Sequence, residues 1–164
     1  GVRVPFIAAW AKPDAKNKFQ KKYPIAQNAV QPQQGTVMDL YPTILSVAHV
    51  KSPKHYALDG ADLKKLLQGK EDKNHRDDFL MHFPHGEHRA NYFTTYRKGD
   101  WKLIYYYNPE TTGIPTWKLY NLKDDPYETS ELSAKYPEKT VSMIELMKNR
   151  LTEENALYPI TENK

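Results

Sequence analysis

The chain has 164 residues, enough for a domain with a real core, and an ordinary balance of 39% hydrophobic and 27% charged residues. Its net charge of +4 is too mild and too evenly spread to mark a nucleic-acid-binding surface, and no apolar run is long enough to span a bilayer as a helix. There is no cysteine, which excludes disulfides and thiolate chemistry within the chain. The 12 Tyr, 5 Phe and 3 Trp suit half-buried strands, where a ring packs while its polar edge reaches water.

In chain order, residues 2–10 read as a strand buried on both faces, of the kind found in parallel sheets, with Pro5 near a strand end or edge. Residues 11–35 are polar and proline-containing and read as a long surface excursion. A short helix is predicted over residues 40–48, with Asp39 as N-cap, Pro42 in the first turn, and Leu40, Ile44, Val47 and Ala48 on one face. Leu58-Asp59-Gly60 is a turn, residues 61–67 a further short helix ending at Gly69, and the charged residues 70–77 a solvated boundary between two units.

The second half has a different pattern. Strands are predicted over 79–83, 92–97, 101–107 and 117–122, with Lys98-Gly99-Asp100 as a hairpin turn and Asp124-Asp125-Pro126 ending the last strand. A helix over 137–157 starts at Pro137, carries Val141, Ile144, Met147 and Leu151 on one face, and is stopped by Pro159. The fold class is therefore α+β, a small antiparallel sheet covered by one long C-terminal helix.

Four segments, in order and suitably spaced, resemble the sulfatases of the alkaline phosphatase superfamily. Gly1-Val2-Arg3-Val4-Pro5-Phe6 is similar to the second half of a Glu-Gly-Gly-x-Arg-Val-Pro segment. Asp39-Leu40-Tyr41-Pro42-Thr43-Ile44-Leu45 resembles an Asp-Leu-Tyr-Pro-Thr-Leu-Leu helix. Leu58-Asp59-Gly60 with Leu63, Leu67 and Gly69 resembles a Leu-Asp-Gly stretch, and the run from Arg97 to Ile104 with Leu119-Tyr120-Asn121-Leu122 and Asp125-Pro126-Tyr127-Glu128-Thr129 resembles the C-terminal subdomain.

The resemblance implies that residues 1–70 are the end of a large α/β sulfatase domain and residues 78–164 its C-terminal subdomain. It implies a bacterial-type parent enzyme in which a formylglycine hydrate attacks a sulfate ester, aided by a calcium ion, and a periplasmic or secreted location. The chain departs from the family pattern where the chemistry lies. It has no Cys, no Ser-x-Pro-x-Arg and no Asp-Asn metal pair, so no catalytic residue, metal ligand or cofactor is assigned to it. This chain alone is expected to be inactive. Its opening at Gly1 is read as a cut, with the N-terminal part of the sulfatase as its natural partner, any export signal lost with that part, and self-association through the 2–10 strand as a substitute.

The segment from Met81 to Arg89 holds the binding candidates. The family often carries His-x-Pro-His here near the mouth of the active site, so the resemblance points to His82, His85, His88 and Arg89 as donors to a sulfated glycan. The alternative for these residues is a strand end whose histidines satisfy local backbone groups. The His82, His85 and His88 spacing suits a metal poorly, because strand residues three apart face opposite ways and Pro84 forbids a regular helix, so only a turn would gather them. Arg3 is read as a structural ion-pairing residue near the active-site floor. Two other functions compete: a phosphodiesterase or phosphonate hydrolase of the same superfamily, and a stand-alone carbohydrate-binding module. Exposed coplanar Tyr and Trp on one sheet face would mark the module, and their burial under the C-terminal helix would count against it.

Overall fold

The structure, a computed structural model, describes residues 4–84, 92–107, 113 and 115–158. The chain divides into two compact units, residues 1–76 and 77–164.

The first unit is built from short helices: α1 (Lys18–Lys22), a 3-10 turn at Val37–Asp39 that runs into α2 (Leu40–Val47), and α3 (Lys64–Leu67). The expected strand at its start is absent. Residues 4–10 form no strand, and Val4, Phe6 and Ile7 are 77%, 59% and 89% exposed. A strand buried on both faces needs a partner on each side, and among the described residues this segment pairs with none.

The stretch 11–35 is more than a surface excursion. Asn17 caps α1, its Oδ1 accepting from the N–H groups of Phe19 and Gln20 at 2.9 and 3.2 Å. Tyr23 then turns inward, 2% exposed, and its hydroxyl donates to Asp62 at 2.6 Å. Burial, with the neighbouring Asp62, holds this phenol well above its ordinary range.

Asp39 does not cap α2 with its side chain. Its carboxylate, 4% exposed, accepts from the N–H and hydroxyl of Thr36 at 2.6 and 3.1 Å and from the N–H of Ala61 at 2.8 Å. One turn on, the Thr43 hydroxyl donates to the Asp39 carbonyl at 2.6 Å and accepts from the Leu63 N–H at 2.9 Å. Asp39 and Thr43 thus bind the Asp-Leu-Tyr-Pro-Thr segment to the Leu-Asp-Gly segment through backbone amides that would otherwise lack partners. The buried face of α2 carries Pro42 and Thr43, while Ile44 is 63% exposed. Helix α3 is shorter than predicted and ends at Gly69, whose φ of 73° suits a residue without Cβ. The charged stretch after it is not wholly solvated. Asp72 and Gln33 exchange backbone and side-chain hydrogen bonds at 2.7 and 2.9 Å, and His75 is buried with its Nε2 3.6 Å from Asp39.

The second unit is an antiparallel meander of β1 (Asp78–Phe83), β2 (Phe93–Lys98), β3 (Trp101–Tyr106) and β4 (Trp117–Asn121), in spatial order β1-β2-β3-β4, followed by α4 (Pro137–Glu153). Lys98 pairs with Trp101, leaving Gly99 and Asp100 as a two-residue hairpin loop. Alternation sends Leu80, Tyr96, Leu103, Leu119 and their neighbours Trp101, Tyr105 and Trp117 against Met143, Met147 and Leu151. Leu103, Leu119 and Met143 are fully buried, each worth about 1.5–3 kcal/mol of transfer free energy. The buried side of α4 is Thr140, Met143, Met147 and Leu151, and Val141 is 56% exposed. The helix therefore sits rotated from the face its apolar residues suggest. Thr140 fits inside because its hydroxyl donates to the Tyr136 carbonyl at 2.9 Å. The opposite sheet face carries Ile104, Tyr120 and Leu122 with Phe93 and Tyr106.

Candidate functional site

Of the residues singled out in the sequence, His82 is described. His85, His88, Arg89 and Arg3 lie outside the described residues.

His82 stands near the end of β1, opposite Thr94 of β2. Both ring nitrogens have partners: Nδ1 lies 2.7 Å from the Thr94 hydroxyl and Nε2 2.6 Å from the Leu157 carbonyl. A carbonyl only accepts, so Nε2 carries the hydrogen in this arrangement. With the ring neutral, the Thr94 hydroxyl donates to Nδ1 and accepts from the Tyr107 hydroxyl at 2.7 Å. Thr94 is fully buried, so this row of hydrogen bonds fixes both rings. Burial raises the Tyr107 phenol above its ordinary range, although the bond to Thr94 works the other way. His82, Tyr107 and Tyr158 form a ring cluster with mutual centroid distances of 5.9, 6.0 and 6.1 Å, each pair near edge-on.

The cluster continues into a groove of about 230 Å³. Tyr105, Tyr107 and Trp117 from the sheet side face Met147, Lys148 and Leu151 of α4, with Tyr158 also lining it. Tyr105 and Trp117 are stacked at 4.3 Å and 27°, and Tyr107 meets Tyr105 edge-on at 4.6 Å. Sequence reading placed Met147 and Leu151 on the apolar helix face and assigned none of these positions to a site. Strand alternation puts Tyr105 on the same face as Trp101 and Leu103, but which part of that face α4 leaves open depends on the helix rotation. Because α4 covers the face, the described residues form no flat platform of exposed coplanar rings, which counts against a stand-alone sugar-binding module.

At the other end of the face, the Tyr96 hydroxyl donates to Asp78 at 3.1 Å. Arg150 of α4 approaches the same carboxylate at 4.0 Å and pairs with Glu153 and Glu154. On the opposite face, Lys102, 7% exposed, donates to both oxygens of Glu128 at 2.6 and 2.7 Å. Among the described residues no three His, Cys, Asp or Glu gather as a metal-holding group. The described residues therefore offer no cluster of carboxylates to a calcium ion.

A meander of four strands under a long helix, preceded by a unit of short helices, is an arrangement shared with solved sulfatases. The chain is similar over 70% of its length to a structure solved in complex with its substrate D-glucosamine-2-N,6-O-disulfate, at 30% identity and a TM-score of 0.56, covering 23% of that chain. It shares its fold with a 2-O glycosaminoglycan sulfatase at 22% identity and a TM-score of 0.57, over 71% of this chain and 24% of that one. Residues 2–156 match the family model described as N-sulphoglucosamine sulphohydrolase, C-terminal, and the chain belongs to that family of sulfatase C-terminal domains. Among curated proteins it is 33% identical to a sulfatase of Formosa agariphila, over 92% of this chain and 26% of that protein. It is also 33% identical to the N-acetylgalactosamine-6-sulfatase of Sus scrofa, over 57% of this chain and 17% of that protein. The chain thus spans about a quarter or less of the curated relatives it matches.

Proposed function

We propose that the whole protein is a sulfuric ester hydrolase acting on a sulfated carbohydrate of the glucosamine type, and that this chain supplies its C-terminal domain and part of its substrate recognition. The observation that carries the reading is the family match over residues 2–156, joined to the 30% identical structure that holds a disulfated glucosamine. The nucleophile and the calcium ligands are assigned to the part of the protein outside this chain, which has no Cys and no Ser-x-Pro-x-Arg. Its apolar contacts with that part account for the open side chains of the first unit, Phe6, Ile7, Val37 and Ile44 among them. A periplasmic or secreted location goes with this reading. Among the described residues no helix is long and apolar enough to cross a membrane.

Recognition is assigned to the segment from His82 to Arg89. His85, His88 and Arg89 carry the kinds of hydrogen-bond donor that a sulfated sugar needs, and His82 in the same segment is held by Thr94 and the Leu157 carbonyl. The test is His85→Ala in the full-length enzyme. The expected result is a fall of about tenfold or more in kcat/KM on an N- or 6-O-sulfated glucosaminide, about 1.4 kcal/mol, with a much smaller change on a small aryl sulfate. Equal losses on both substrates would mean that His85 serves the fold or the chemical step, and would end the recognition role.

A further inference from the structure

We propose that the groove between the sheet and α4 is a binding site for one ring of a sulfated sugar, a proposal that rests on the sulfated-glycan reading and extends it to residues outside the His82 to Arg89 segment. Three features carry it.

The first is the aromatic wall. Tyr105 and Trp117 are stacked, Tyr107 stands edge-on to them, and Tyr107 is tied through its hydroxyl to the fully buried Thr94. Tyr105 and Trp117 already stack on each other, so the wall offers a ligand ring edges held in place and not an open platform, and it loses little freedom when the ligand arrives.

The second is charge. Lys148 lines the groove from an exposed position on α4, and among the described residues no carboxylate lies within salt-bridge reach of it. A cation beside aromatic rings that carry hydroxyls complements a polyhydroxylated anion. It does not complement an apolar peptide side chain, which would leave the ammonium without a role.

The third is size. At about 230 Å³ the groove falls below the roughly 300–1,000 Å³ of sites that enclose drug-sized ligands, which limits an occupant to no more than a single ring.

The experiment is titration calorimetry at low ionic strength on this chain, with a heparin-derived disaccharide and its chemically desulfated counterpart as probes. Lys148→Gln and Tyr158→Ala alter exposed side chains and leave the core intact. Each is expected to weaken binding of the sulfated disaccharide by about fivefold, the scale of one exposed charge or ring contact. Lys123→Gln, which removes the same charge from an exposed position away from the groove, is the control and should leave affinity unchanged. No binding, equal binding of the desulfated sugar, or equal loss in Lys123→Gln would each overturn the proposal. Turnover of sulfated sugars by the full-length enzyme is a separate measurement, so failure of the groove and failure of the substrate reading are told apart.

Discussion

Gly60 stands where no side chain fits. A Cβ there would lie 2.1 Å from the Met38 carbonyl oxygen and 2.6 Å from the Asp39 N–H nitrogen, both backbone atoms that cannot swing aside. The Leu-Asp-Gly turn presses against the start of α2 at the point where Asp39 accepts from Ala61. Gly60→Ala should therefore cost about 3 kcal/mol or more, read as a fall in the denaturation midpoint, because the backbone must shift and the Asp39 bonds lengthen. A variant of unchanged stability would contradict the close approach. The glycine was visible in the sequence as a turn residue, but its crowding arises from a segment more than twenty positions earlier and could not be read locally.

The same limit applies to Lys102 and Glu128. In the sequence both belong to segments that resemble the sulfatase C-terminal subdomain, and nothing in their spacing pairs them. The pair forms because Glu128 adopts a left-handed backbone, φ 58°, and reaches across the face on which Lys102 is buried. Glu128→Gln leaves a buried ammonium without its counter-ion and should cost about 2–4 kcal/mol. Lys102→Met leaves a partly exposed carboxylate and should cost less. Chemical denaturation of the two variants checks the order, and the reverse order would mean that the lysine head is better hydrated than its burial indicates.

At the scale of elements, the four strands and the C-terminal helix fall within a residue or two of where alternation, the Gly99 turn and Pro137 put them, except at the helix C-terminal end, which stops at Glu153. Their pairing is local, so sequence neighbours are spatial neighbours. What failed was the strand over 2–10 and the facing of α2 and α4. Apolar composition alone does not make a strand when no partner lies beside it. Helix facing is set by what the helix meets, so Thr43 and Thr140 are buried by hydrogen bonding while Ile44 and Val141 stay open. The histidine segment was legible as a motif, but the partners of its described member His82, namely Thr94, Tyr107 and Leu157, come from three separate stretches.

The loop after β4 makes a pH prediction. Burial of Glu131 acts to raise its carboxyl, but donors from the backbone of Leu119 and Ser133 outweigh this and hold it below the ordinary value of 4.5. A carboxyl depressed in the folded state contributes stability that is full above its unfolded value and is lost as pH falls through the folded one. Glu131→Gln should accordingly melt below the parent chain at pH 7, with the gap closing as pH drops below about 4.5. A gap independent of pH would show that the amide loses packing or geometry, and not charge.

At the scale of the whole molecule, the two units differ in how complete they are. The sheet and α4 enclose their own core. The first unit is held largely by side chain–backbone bonds around Asp39, Thr43 and Gln33 and leaves large apolar side chains open. That contrast fits a domain whose second unit is self-sufficient and whose first unit belongs with a larger body, which agrees with its spanning about a quarter of the Formosa sulfatase. The proposed function divides the labour along the same line, with recognition and scaffold assigned to this chain and the chemistry to the rest of the protein. Hydrolysis of a chromogenic aryl sulfate, measured side by side for this chain and for the full-length protein at equal concentration, tests that division most directly. Turnover is expected from the full-length protein and none above background from this chain. Turnover by the purified chain that falls on substitution of its own residues would contradict the account.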